Sequence, residues 1–251
     1  MNIDLSNRVV LITGGSRGIG ASCVRLFAGT GAKIVFTYNS DEVSANKLIA
    51  ENNDADIKAI RVDVKSEDDI TTCVKEVSNL FGRIDILVNN AGIWKEAKVD
   101  EMSLDEWNET IITNLTGSFL FAKYVVPLMK KQKYGRIINI ASTAGQRGEA
   151  EHSHYASSKG GLISFTKSLA SELAAFGITT NCVAPGWVYT DMSNDIILEE
   201  KKAEQLKDYI PLGRAAYPEE IAGPVLFLAS TLADHVNGEI LNVNGGSELC
   251  G

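Results

Sequence analysis

Tyr155 and Lys159 stand four residues apart in His154-Tyr-Ala-Ser-Ser-Lys159, and Ser142 closes an apolar run thirteen residues before the tyrosine. On a helix, side chains at i and i+4 share a face, so the phenol meets an ammonium, and a positive charge there favours the phenolate. An unperturbed tyrosine titrates near ~10 and is a poor acid or base at neutral pH, so a neighbouring lysine is what makes it usable. Ser142, at the end of Arg136-Ile-Ile-Asn-Ile-Ala-Ser142, is placed to hydrogen-bond the substrate oxygen that the tyrosine protonates. Together the three residues suit proton chemistry on a carbonyl. Taken alone, Tyr-x-x-x-Lys also fits an exposed pair on a surface helix.

A second constellation lies near the amino terminus. The apolar run Arg8 to Ile12 leads into Thr13-Gly-Gly-Ser-Arg-Gly-Ile-Gly20, and a helical pattern follows at Ile19, Cys23, Val24, Leu26 and Phe27. Strand, glycine turn and helix in this order suit a dinucleotide. The glycines Gly14, Gly18 and Gly20 permit close backbone approach, and the helix N-terminus offers N–H groups to a pyrophosphate. The second apolar run, Lys33 to Ser40, ends in Thr37, Tyr38, Asn39 and Ser40, and its first carboxylate is Asp41. No acid stands where it would repel a ribose 2′-phosphate, and Arg17 in the glycine loop can pair with that phosphate bidentately. The expected cofactor is therefore NADP(H) rather than NAD(H); a solvated loop arginine is the other reading of Arg17.

With these pieces in order, Thr13-Gly-x-x-x-Gly-x-Gly20, Asn89-Asn-Ala-Gly92, Asn114, Ser142, Tyr155-x-x-x-Lys159 and Pro185-Gly186, the chain resembles the short-chain dehydrogenases/reductases over essentially its whole length. Arg136-Ile-Ile-Asn-Ile, Asn181-Cys-Val-Ala-Pro-Gly186, Thr190-Asp-Met192 and Leu241-Asn-Val-Asn-Gly-Gly246 look most like the 3-oxoacyl-(acyl-carrier-protein) reductase type, an enzyme type of fatty acid synthesis. The resemblance implies a general-acid role for Tyr155. It gives Lys159 a double duty, lowering the tyrosine pKa and holding the nicotinamide ribose, and it makes Ser142 orient the carbonyl. Asn114 would hold a water that links the lysine to solvent. On the cofactor, the resemblance implies contacts from Thr13, Gly14, Ser16, Arg17, Gly18, Ile19 and Gly20. Further contacts would come from Tyr38, Asn39 and Ser40, from Asp63 and Val64 beside the adenine, and from Asn90, Ala91 and Gly92. Pro185, Gly186, Val188 and Thr190 would complete the set around the nicotinamide. A helix-interior asparagine that bends its helix is the other reading of Asn114, and a strand-end turn residue that of Asp63.

The elements that must position these residues alternate along the chain without a linker. Val- and Ile-rich runs at Arg8–Thr13, Lys33–Tyr38, Ile57–Asp63, Ile84–Asn89, Arg136–Ser142, Thr179–Ala184 and Ile240–Val243 are separated by amphipathic stretches such as Asp68–Phe81, Leu104–Lys130 and Tyr155–Phe176. The pattern predicts one domain over residues 1–251: an α/β, doubly wound (Rossmann) parallel sheet of about seven strands, helices on both faces, its ligand outside the carboxyl ends of the strands.

A net charge of −8 over 251 residues argues against a nucleic-acid partner. No run of ~18 or more uncharged apolar residues is present, and Leu115–Met129 is interrupted by Lys123, so no membrane association is expected. Cys23, Cys73, Cys182 and Cys250 are scattered without paired ligand spacing, and no secretory leader is visible. A reduced, cytoplasmic protein without a metal is expected. His152 and His154 are read as polar residues at the edge of the site.

Substrate would be enclosed by Ile93–Ala97, Ala144–His152 and Trp187–Arg214, the last mixing Trp187, Tyr189, Ile196, Ile197 and Leu198 with Glu199-Glu-Lys-Lys202 as a mobile lid would. Trp94 and Trp187 fit a partly apolar pocket and fit lid packing equally. Lys130, Lys131, Lys133 and Arg147 could meet an acidic acyl-carrier protein, although relatives of that type often carry arginines at the positions of Ser171 and near Gln132. The expected substrate is a small molecule or acyl thioester, foremost a 3-oxoacyl thioester. Free ketones, sugars or secondary alcohols are the alternative, and a non-catalytic NADP-binding sensor a third reading that the intact Ser142, Tyr155, Lys159 and Asn114 oppose. The resemblance further implies a homotetramer in which the long helices pair across a dyad.

Overall fold

The structure is a computed structural model that describes residues 3–250 except Leu198, without the side chains of Ile196, Glu200, Lys201, Lys202 and Ala203. Of the lid residues read from the sequence, Leu198 and the side chains of Ile196 and 200–202 thus lie outside the described set.

Seven parallel strands form one sheet in the order β3-β2-β1-β4-β5-β6-β7. They are β1 (Val9–Ile12), β2 (Lys33–Tyr38), β3 (Ile57–Arg61), β4 (Ile86–Asn89), β5 (Gly135–Ile140), β6 (Ile178–Pro185) and β7 (Ile240–Val243). Side chains alternate across a strand, so a strand covered on both faces must be apolar throughout. β1 shows the consequence. Val10 and Ile12 enter one core with Val24, Phe27 and Val225, while Val9 and Leu11 enter the other with Val77, Phe121, Val125 and Leu173. The first core is closed by α1 (Gly18–Ala28) and α10 (Pro218–Ala229); the second by α3 (Glu67–Phe81), α5 (Gly117–Gln132) and α7 (Ser153–Leu173).

Several helices begin on a side-chain cap that their sequence supplies. Asp41 accepts the Ser44 N–H at the start of α2 (Glu42–Glu51), and Ser66 accepts the Asp69 N–H at the start of α3. Ser103 and Glu106 form a capping box on α4 (Leu104–Ile111). α1 is different: Arg17 precedes it in an extended conformation (φ −149°) with no side-chain cap and no acid in the first turn. Its leading N–H groups are left to whatever lies in front of them.

The stretch expected as one amphipathic helix, Leu104–Lys130, is two helices joined by a π turn at Ile112–Thr116, where the Gly117 N–H donates to Ile112 O. Its 29-residue path, Leu104–Gln132, is long and apolar enough by composition to cross a membrane. Its apolar residues Leu120, Phe121, Val125 and Met129 are instead buried on the sheet.

At the amino ends of β1, β4 and β5 sits Asp85, fully buried. Its carboxylate accepts from Arg8 Nη1 at 3.0 Å, Arg83 Nε at 2.8 Å and the Val9 N–H at 3.0 Å, and its carbonyl accepts the Arg136 N–H at 2.9 Å. The register of three strands is thereby tied to one buried acid. Both arginines retain contact with water, so removing the acid forfeits charged hydrogen bonds and orphans one amide rather than stranding a buried cation. Asp85→Ala is expected to cost about 2 to 3 kcal/mol, read as a lower urea midpoint with an unchanged slope.

Candidate active site

The strand order reverses between β3 and β4, so the loops after β1 and β4 diverge and leave a crevice at their carboxyl ends. A cavity of about 400 Å³ fills it. Thr13 and Asn90 build its floor. Thr13 Oγ1 accepts the Asn90 and Ala91 N–H groups at 2.9 and 3.0 Å, and Asn90 Nδ2 donates to the carbonyls of Thr13 and Gly14 at 3.0 and 2.9 Å. The glycines are sterically required. A Cβ on Gly15 would stand 2.5 Å from Phe36 Cβ, and one on Gly20 would stand 2.2 Å from Gly14 O, while Gly14 holds a positive φ of 64°.

Most residues singled out in the sequence line this one cavity: Gly14, Ser16, Arg17, Gly18 and Ile19; Tyr38, Asn39 and Ser40; Val64; Asn90, Ala91 and Gly92; Ser142, Tyr155 and Lys159; Pro185, Gly186, Val188 and Thr190. Thr13 and Gly20 lie directly beneath it, one as a clasp and the other as a close packing point. Asp63 is not brought to the lining; its Oδ1 accepts the Lys65 N–H at 3.0 Å, while neighbouring Val62 faces the cleft. Asn114 also stays behind the wall, completely buried. Its Oδ1 accepts the Ile93 N–H at 2.8 Å, and its Nδ2 donates to Ile93 O and Ser158 Oγ at 2.9 and 3.1 Å. A Cβ on Gly92 would touch Asn114 Oδ1 at 3.2 Å and Lys159 Nζ at 3.5 Å, so that glycine separates the two.

At the reacting end, Ser142 Oγ accepts the Ala144 N–H at 3.1 Å. Burial pushes the Tyr155 phenol up to about 12, hydrogen bonding with Ser142 offsets part of this, and the negative Glu149 adds to it. Lys159 is buried with its Nζ donating to Ile140 O at 2.7 Å and lying 5.7 Å from the Tyr155 ring centre. Burial lowers its ammonium to about 8. Desolvation is the largest influence on the phenol, and the Lys159 ammonium is turned toward a backbone carbonyl.

Arg17 reaches out at the other end, with Nη1 3.9 Å from Asp191 Oδ2 and its side chain 66% exposed. It also lowers the pKa of Asp41, after the hydrogen bonds from Ser44, so a carboxylate does stand near the cation at the β2 end. The histidines are not edge residues. His152 is buried and stacks on Trp94 with ring centres 4.3 Å apart, and His154 is fully buried with neither ring nitrogen partnered. Trp94 and Trp187 both line the cleft and pack edge to face at 6.0 Å, whereas Tyr189 turns away to Tyr217. The sequence did not single out Val62, which the fold brings to the lining from a strand end; Asp191, Met192 and Ser193, within the expected lid segment, line it too. Among the described residues no group of three metal-ligating side chains occurs.

Residues 14–248 match the family described as enoyl-(acyl carrier protein) reductase. The chain is 42% identical to the 3-oxoacyl-[acyl-carrier-protein] reductase of Synechocystis over 96% of this chain and 97% of that one. It is 43% identical to the reductase of the same name from Aquifex aeolicus over 98% and 99%. Among solved structures it superposes on a putative gluconate dehydrogenase from Agrobacterium tumefaciens (TM-score 0.94, 33% identity, 98% of each chain) and on gox2181 (TM-score 0.92, 32% identity, 98% and 96%).

The titration of the reacting groups has a consequence for rate. The Tyr155 phenol keeps its proton through the neutral range, whereas the Lys159 ammonium is present only below about 8. Reductive kcat/KM, followed from pH ~6 to ~10, is expected to be flat on the acid side and to fall above about 8.

Proposed function

The chain belongs to the short-chain dehydrogenase/reductase family, and on that premise we propose that it reduces the keto group of a 3-oxoacyl thioester to a hydroxyl with NADPH. The observation that carries this reading is the Ser142–Tyr155 pair facing one cleft with Lys159 buried beside it, in a chain more than 40% identical to full-length 3-oxoacyl-[acyl-carrier-protein] reductases.

The residues present fit a dinucleotide. The uncapped N-terminus of α1 and the glycine cradle at Gly14 and Gly20 admit a pyrophosphate, and Arg17 stands at the end of β2 where a 2′-phosphate would lie. Asn39, Ser40, Val62 and Val64 would flank the adenosine, and Pro185, Gly186, Val188 and Thr190 the nicotinamide. The cofactor supplies the hydride. Tyr155 Oη gives its proton to the carbonyl oxygen, and Ser142 Oγ donates a hydrogen bond to that oxygen as charge develops on it. Lys159 would hold the ribose and return a proton to the phenolate, its own being replaced from solvent. Asn114, pinned in the π turn, keeps Gly92 and Ile93 in place beside that lysine, and a π bulge at such a point suits a functional role.

We place the enzyme in the cytoplasm as a homotetramer of single-domain subunits, supported by its free thiols and by the exposed Ile112 and Phe119 on the long helices. An acyl-carrier protein is the proposed carrier of the substrate, with Lys130, Lys131 and Lys133 as the basic residues that would meet it. The likeness to a putative gluconate dehydrogenase favours a second reading, oxidation or reduction of free small carbonyl compounds.

NADPH oxidation with acetoacetyl-CoA, beside a panel of free ketones, decides between them: preferred thioester turnover is expected, and activity confined to free ketones would reassign the enzyme. Tyr155→Phe should lower kcat by ~10²–10⁴ with NADPH affinity nearly kept, while Lys159→Ala should damage both. Arg17→Ala should raise the KM for NADPH by ~10- to 100-fold and leave that for NADH nearly unchanged.

A further inference from the structure

Beyond the reacting groups, the substrate end of the cleft is walled by Trp94, Glu149 and Trp187. Glu149 is the charged group in this wall whose placement is most closely specified. Trp94 Nε1 donates to its Oε2 at 3.3 Å, and the indole that does so is clamped face to face on buried His152, with an interplanar angle of 4°. A carboxylate offers about four acceptor positions. One is taken by the indole, and no other hydrogen bond to it is formed among the described residues.

Cations that could neutralise Glu149 are committed elsewhere. Arg147, two residues away, lies with Nε 3.0 Å from Glu248 Oε1 and donates Nη1 to Gly148 O at 2.9 Å. Glu248 is itself held by the Tyr209 hydroxyl at 2.9 Å. The Lys159 ammonium points to Ile140 O. The substrate end therefore carries an unneutralised negative charge close enough to bear on the catalytic phenol.

We propose that Glu149 determines substrate class at this end of the cleft, accepting a hydrogen bond from a neutral N–H or O–H donor on the arm beyond the reacting carbonyl and rejecting substrates that carry a free carboxylate there. The inference rests on the carbonyl-reduction reading and narrows it. An acyl thioester whose arm bears amide N–H groups is accepted, and the corresponding free 3-oxo acid is not. Two charges of like sign a few ångströms apart in a partly desolvated cleft repel far more than they would in water.

The test compares kcat/KM with NADPH for ethyl acetoacetate, acetoacetate and acetoacetyl-N-acetylcysteamine, in the full-length protein and in Glu149→Gln. The ratio of ester to free acid is expected to be at least ~100 in the unmodified enzyme and to fall at least ~tenfold in the variant, which keeps shape and removes charge. Comparing the two proteins cancels the intrinsic reactivity of each ketone. Raising the salt from ~0.05 to ~0.5 M should narrow the gap for the unmodified enzyme more than for the variant. A ratio that Glu149→Gln leaves within about twofold, or one already near unity in the unmodified enzyme, overturns the assignment. If the ester is reduced and the thioester is not, the 3-oxoacyl reading falls while the ester-to-acid ratio still decides the role of Glu149; no turnover of any of the three overturns both.

Discussion

The site depends on one constraint, the clasp between the carboxyl ends of β1 and β4. These strands are neighbours whose onward chains depart in opposite directions, which opens the crevice and also threatens to let it spread. Thr13 and Asn90 hold the two loops together with four hydrogen bonds, and each is partly or wholly removed from water. Buried polar groups that are fully paired fix one geometry, because any slip leaves donors unsatisfied. The glycines can then be as close as they are: the loop they form has a rigid wall on its far side.

The reacting groups inherit this rigidity from different elements. Ser142 leaves the end of β5, Tyr155 and Lys159 project from α7, and Asn114 reaches the same spot from the interruption between α4 and α5. Their common trait is burial. It pushes the phenol and the ammonium toward their neutral forms, so the phenol stays protonated and the ammonium can give up its proton at about 8. Glu149 stands at the margin of this arrangement, where its charge bears both on the phenol and on what approaches it.

Much of this was legible in the sequence, for physical reasons that also explain the exceptions. Strands covered on both faces must be continuous in Val and Ile, so Lys33–Tyr38 and Ile240–Val243 were bounded as observed and the other strands within two residues. The glycine loop and the Tyr-x-x-x-Lys spacing are local, and they led to the cleft directly. What escaped depends on contacts between distant segments. His152 and His154 look polar in a string of residues, yet one lies under a tryptophan from another loop and the other inside the packing. Asp63 accepts from its own turn, the other reading that the sequence allowed. The pull of Lys159 toward Ile140 O depends on β5 lying beside α7, and no spacing along the chain encodes it.

The π turn at Ile112–Thr116 has a further consequence, for the tolerance of this region to change. The widened turn takes up one residue more than an α turn, so its two halves keep the phase that a shorter, regular helix would have. Deleting one residue to regularise it would leave Leu120, Phe121, Val125 and Met129 facing the sheet but would withdraw Asn114 from Ile93 and Ser158. The extra residue therefore serves the site and not the core.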